Sequence, residues 1–263
     1  MMALLTLIAT ILLPPLGVAL KHGLGRTFLI NLILTIILFV PGLGEQSIPV
    51  RHRLAMALAL SIALSPILPV GPLDLEEPLV VLRLLGVEIT LGLWFGLVAR
   101  VIMSALTFAG YQIGLVSGLA NAMAPTTGAF EGATLVASAL TTAGIALVFA
   151  TDLHHLIIGA MIMSYEVFPP GRIMPGDLAE QMVRAGAASL YLGVSMSAPF
   201  YVMGMVLNVG LGVANRLMPT LPVFFVATPV LLACGIGVLV FAGPAILTAF
   251  LMRLSDWLGT LSF

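Results

Sequence analysis

Between Arg184 and Arg253 the chain carries one charged side chain, Arg216. Residues 101–130 carry none, and neither do residues 132–151. Stretches this long without a charge exceed the ~20 apolar residues that a helix needs to cross a bilayer. They leave too little polar surface to face water. The rest of the sequence agrees: of 263 residues, 60% are hydrophobic and 8% charged, where a soluble domain has about a quarter charged. Mean hydropathy is +1.19. The chain therefore reads as an all-α integral membrane protein. No segment alternates apolar and polar residues as a membrane β-strand does.

Apolar runs fall at 2–20, 27–43, 54–70, 84–99, 101–130, 132–151, 185–215 and 217–252. They predict six to eight helices, several kinked or broken by prolines such as Pro66 and Pro69. No basic segment precedes the first run, so it reads as an uncleaved anchor. A net charge of −1 offers no electrostatic hold on nucleic acid. The single cysteine, Cys234, excludes an intrachain disulfide and a thiolate metal cluster. Loop charges conflict with simple threading. Lys21, His22 and Arg26 follow the first run, and Arg51, His52 and Arg53 the second. If both runs span, the two basic loops lie on opposite sides, against the positive-inside rule. Either 27–43 is re-entrant, or the helices pack into a larger assembly rather than spanning independently.

Glycine spacing points to close packing. Gly110, Gly114 and Gly118 recur every fourth residue in an uncharged run, and Gly92 and Gly96 repeat the interval in "GLWFG". Residues four apart share one helix face, where missing side chains admit a second backbone. Glu88 stands inside an apolar run, in "VEITLG". It is either a polar contact or ion-path group within an assembly, or a residue near a helix end, since Arg83 is five positions away. Asp152, His154 and His155 in "TDLHHL" read as a polar helix junction. Adjacent histidines on a helix point about 100° apart and do not readily share a metal. No nucleophile elbow and no phosphate-binding loop are present, so the chain reads as a non-enzyme with no cofactor.

Two further stretches break the apolar pattern. Residues 119–133, "LANAMAPTTGAFEGA", place Pro125, Thr126, Thr127 and Gly128 together. Such turn-forming backbone cannot face lipid, so it lies at the membrane surface, is buried in protein or lines a cavity. Residues 166–180, "EVFPPGRIMPGDLAE", read as an exposed loop. In "NVGLGVANRLMPTLPVFFVATP" (208–229), Asn208, Asn215 and Arg216 are too polar for lipid and belong against protein or at a basic inter-helix loop. Arg216 suits the end of the preceding helix, where its charge complements the dipole. Pro219 and Pro222 then turn the chain, and Pro229 counts as a third breaker.

These residues resemble one family. "GLGEQSIPVRHRLAMALALSIALSP" (42–66), "VEITLGLWFGLVAR" (87–100), "AGYQIGLVSGLANAMAP" (109–125), "FPPG" (168–171) and the 208–229 stretch follow the pattern of the FliR/SctT export-gate membrane proteins. The likeness covers about residues 40–255. Residues 1–44 depart from it. Their "LPPLGV" turn, basic residue with G-x-G, and closing "PG" resemble the YqaE-type two-helix membrane proteolipids. The domain reading is thus a hairpin over 1–44 and an export-gate domain over 45–263.

The resemblance implies a non-enzymatic channel component of flagellar or virulence type III secretion, in the bacterial inner membrane. It implies assembly with FliP-like and FliQ-like subunits into a helical ring with tilted helices, through which unfolded substrates enter. It also implies that a loop of this subunit plugs the closed pore. By position that loop is "NAMAPTTGAFEG" (121–132), with Asn121, Met123, Pro125, Thr126, Thr127, Gly128 and Phe130 as the gate residues. A competing reading is a small-solute transporter or ion-channel subunit, suggested by Glu88 and the broken helices. A third is a membrane-modulating proteolipid carried by the N-terminal hairpin.

Overall fold

The computed structural model describes residues 49–64, 78–119, 131–167, 174–218 and 223–260. Six α-helices occupy them: α1 (Val50–Leu64), α2 (Pro78–Val116), α3 (Glu131–Ala150), α4 (Leu153–Val167), α5 (Pro175–Leu217) and α6 (Val223–Thr260). No strand occurs among the described residues. Three helices are long and apolar enough to cross a membrane, over Leu82–Val116, Pro175–Leu217 and Ala227–Gly259. A fourth crossing results if α3 and α4 form one broken span. The N-terminal hairpin and the basic loop at Lys21–Arg26 lie outside the described residues.

The helices are longer than the charge pattern suggested. α2 runs through Arg83, Glu88 and Arg100 for 39 residues, joining two runs read as separate. A charged side chain does not end a helix, because the backbone ladder is indifferent to it. Pro199 lies inside α5, and Pro229 and Pro244 lie inside α6. Pro229 was expected to break the chain and does not. In membrane helices neighbouring groups re-satisfy the carbonyls that a proline frees. The supposed loop at 166–180 also holds helix: α4 ends at Val167 and α5 opens at Pro175. Proline suits a first helical position, and Asp177 in the first turn complements the helix dipole.

Several hydroxyl groups are satisfied in the same way. Ser61 Oγ donates to Ala57 O, Ser117 Oγ to Ile113 O, Thr141 Oγ1 to Ala137 O and Thr248 Oγ1 to Pro244 O. Each satisfies itself on the preceding turn of its own helix.

The described chain divides into two compact units. The first takes residues up to Arg100, His154–Val183 and the end from Leu258. Its core joins Ala57 and Leu64 of α1, Val87 and Leu91 of α2, Met161 and Tyr165 of α4, and Leu178 of α5. Trp94 Nε1 donates to Leu178 O at 3.0 Å, and its ring meets Phe95 edge-on at 5.0 Å. The second unit takes Val101–Leu153 and Arg184–Trp257. On α2, Ile102, Leu106, Ala109 and Ile113 are buried; on α6, Ile246, Phe250 and Leu254 are. Both sets follow the three-to-four-residue step of one helix face. Two hydroxyl pairs link helices within this unit, Ser104 with Ser189 at 3.2 Å and Thr107 with Thr141 at 3.3 Å.

Candidate functional site

The glycine face of α2 lies in the second unit. Gly110, Gly114 and Gly118 are all buried. At Gly110 the approach is to backbone. A Cβ there would overlap Ala137 Cα on α3 and stand 2.6 Å from Ala137 N. Two helix backbones thus touch through the absence of a side chain. Gly92 and Gly96, in the first unit, are buried too.

At Gly118 the reason for glycine is conformational. Its φ is +73°, in the left-handed region where a side chain is strained. Its N–H donates to Leu115 O at 3.4 Å. The chain therefore leaves the helix here, as at a C-terminal cap. The residues expected to form a gate, Asn121, Met123, Pro125, Thr126, Thr127, Gly128 and Phe130, lie outside the described residues, as does Pro219.

Glu88 is 1% exposed and lies ten residues beyond Pro78, the start of α2, about three helical turns. It is therefore not at a helix end. The Tyr165 hydroxyl on α4 donates to its carboxylate. Its Oε2 accepts no hydrogen bond among the described residues.

Asp152 sits in the turn between α3 and α4 with φ 59°, a conformation that aspartate tolerates better than most residues. The rings of His154 and His155 lie 4.1 Å apart, closer than divergent helical positions suggest. One ligand atom each of Asp152, His154 and His155 lies within 4.8 Å of the others, so the expectation that the two histidines do not readily face one metal does not hold in the structure.

The polar end of α5 is bare. Asn208, Asn215 and Arg216 are exposed, and Arg216 occupies the last helical turn. Met205, Val206, Val209, Val213 and Leu217 are exposed beside them. Among the described residues nothing covers these side chains.

A groove of about 880 Å³ runs between α3 and α6. Leu140, Ala143, Leu147, Leu239 and Leu247 are among the residues that line it. The two hydroxyls at its wall, Thr151 and Thr248, donate to their own helix carbonyls. Among the described residues its lining is almost wholly hydrocarbon.

Sequence reasoning did not single out Gly144, Gly193, Gly204 or Gly235, yet each lies against a neighbouring helix. Gly193 and Gly204 stand eleven positions apart, a spacing that restores the same helix face, so that pair was detectable.

A sequence profile of the family described as bacterial export proteins, family 1, matches residues 28–257. The chain belongs to this family. The family match takes in all of the second unit, most of the first, and every candidate residue above. A second profile, described as proteolipid membrane potential modulator, matches residues 3–44, so the two share residues 28–44. Among its relatives, this export-family chain is 38% identical over 209 residues to the flagellar biosynthetic protein FliR of Caulobacter vibrioides, covering 77% of the chain and 82% of that protein. It is 25% identical over 215 residues to FliR of Escherichia coli, covering 81% and 82%. It is 25% identical over 214 residues to the Yop proteins translocation protein T of Yersinia pestis, covering 79% and 81%.

Proposed function

We propose that this chain is a membrane subunit of a type III protein export gate serving flagellar biosynthesis. It would form part of the inner-membrane pore that unfolded substrates enter. The observation that carries the reading is the 38% identity with a flagellar biosynthetic protein across most of both chains. The fold supports it: long apolar helices with uncovered faces suit a subunit completed by neighbours. FliP-like and FliQ-like membrane proteins are those neighbours in this reading. In this reading residues 121–132 form the plug, of which 131 and 132 already belong to the first turn of α3. The apolar groove between α3 and α6 speaks against a small-solute transporter, which needs convergent polar groups at its site.

The direct test is purification of a tagged chain in mild detergent. Two small apolar subunits are expected to co-purify in fixed proportion. A chain recovered alone, at full expression of its neighbours, would refute the assembly.

The bare end of α5 supplies a finer test. In this reading Asn208, Asn215 and Arg216 meet a partner subunit. Arg216→Lys keeps the charge and loses the planar five-donor fork. It is expected to lower the yield of assembled complex partially. Arg216→Ala, which leaves partner carbonyls unmatched, is expected to lower it by about tenfold, the effect of roughly 1.4 kcal/mol. Full assembly of both variants would return Arg216 to a water-facing loop.

A further inference from the structure

Asp152, His154 and His155 fall within one short stretch, the turn after α3 and the first turn of α4. Their meeting is therefore a matter of local chain geometry. Two steps produce it. Asp152 takes a left-handed backbone conformation, φ 59°, so the chain turns sharply just before α4. The imidazole rings of His154 and His155 then lie 4.1 Å apart and tilted by 37°, where ideal helical neighbours diverge by about 100°. One ligand atom of each of the three side chains comes within 4.8 Å of the others.

Two imidazole nitrogens and one carboxylate oxygen form a donor set with a chemical preference. Zinc-type ions take histidine nitrogen at about 2.0–2.1 Å and carboxylate oxygen at about 2.0–2.2 Å. Two such ligands on one tetrahedral ion therefore stand about 3.4 Å apart. Atoms no more than 4.8 Å apart reach that spacing by small side-chain rotations. Calcium and magnesium instead ask for oxygen ligands. Asp152 and His155 are exposed and His154 is half-buried, so an ion can enter and keep a water as its fourth ligand. The start of α4 is the positive end of its dipole, which opposes a cation. The Asp152 carboxylate supplies the charge that offsets it.

We infer that Asp152, His154 and His155 form a binding site for one divalent transition-metal ion of the zinc type. The bound ion ties the turn at Asp152 to the first turn of α4. The site stands independently of the export role proposed above. A carboxylate beside two imidazoles can also serve as an ion pair alone, and the test separates the two.

The full chain, purified in mild detergent on a tag without histidine, is titrated with zinc against a coloured chelator. One ion per chain is expected to bind, and excess calcium or magnesium is expected not to displace it. Asp152→Asn keeps a residue that tolerates the left-handed conformation and loses the charge. His154→Gln and His155→Gln each remove a nitrogen ligand. Each variant is expected to weaken zinc binding by at least about tenfold, since even groups that only orient metal ligands are worth about 10–100-fold. Cobalt in place of zinc is expected to give a visible absorption band in the intact chain and to lose it in the variants. Cys234→Ser, which removes the one thiol of the chain, is expected to bind as the intact chain does. Helix content of the same samples shows which variants fold, and those that do decide the outcome. Equal zinc affinity in the intact chain and in these variants would overturn the site and leave an ion pair. Loss of binding on Cys234→Ser alone would overturn it too.

Discussion

A Gly110→Leu chain is expected to insert into the membrane and then fail to accumulate in an assembled complex. Leucine is apolar, so insertion is not opposed. At this position, however, the first added atom already overlaps Ala137 Cα and crowds Ala137 N. A flexible side chain could swing aside, but these are backbone atoms of α3. Overpacking in a filled interior costs about 1–3 kcal/mol, and a backbone collision lies at the upper end. A tenfold or greater loss of complex follows, at about 1.4 kcal/mol per factor of ten. Gly186→Leu, on α5 in the same unit, is the control, because nothing lies within 4 Å of its added Cβ. Quantifying complex and total membrane protein side by side checks the claim. Equal assembly of both variants would remove the backbone contact as a structural requirement.

Deletion of residues 124–129 is expected to leave assembly near normal and make the membrane leaky to small ions. A gasket needs apolar groups on a backbone that can move aside when substrate passes. Met123 and Phe130 are the bulky groups of "NAMAPTTGAFEG", and methionine adapts to irregular neighbours. Pro125 restricts the chain and Gly128 frees it. An apolar constriction holds back ions by dewetting. Its loss is expected to raise conductance by about tenfold or more, since each ~1.4 kcal/mol off a barrier is tenfold in rate. A fully assembled complex with unchanged conductance would make this stretch an ordinary surface loop.

Much of the fold was legible because hydropathy in a membrane chain is nearly one-dimensional. Uncharged runs gave the all-α class, and four-residue glycine spacing picked out a face of α2 that is buried. Helix ends were less legible. Arg100 was treated as a boundary, but a helix continues through a charge that can reach a polar neighbour or the interface. Pro229 was treated as a stop, but one lost N–H is cheap where side chains and adjacent turns compensate. Pro175 and Asp177 carried a helix-start signal within a stretch rich in loop formers, and the loop formers dominated the reading. Gly235 was invisible for a different reason: its close approach is to Ser117, 118 positions earlier in the sequence. No local pattern encodes such a meeting. The polar end of α5 was recognised as unsuited to lipid, and among the described residues nothing covers it.

The inward-turned hydroxyls bear on how such a subunit is made. Serine and threonine in membrane helices often serve as glue between helices. Here Ser61, Ser117 and Thr248 each donate to the preceding turn of their own helix. A helix that settles its own donors has no need of a neighbour when it first leaves the insertion machinery. A newly made copy can therefore lodge in the bilayer and wait.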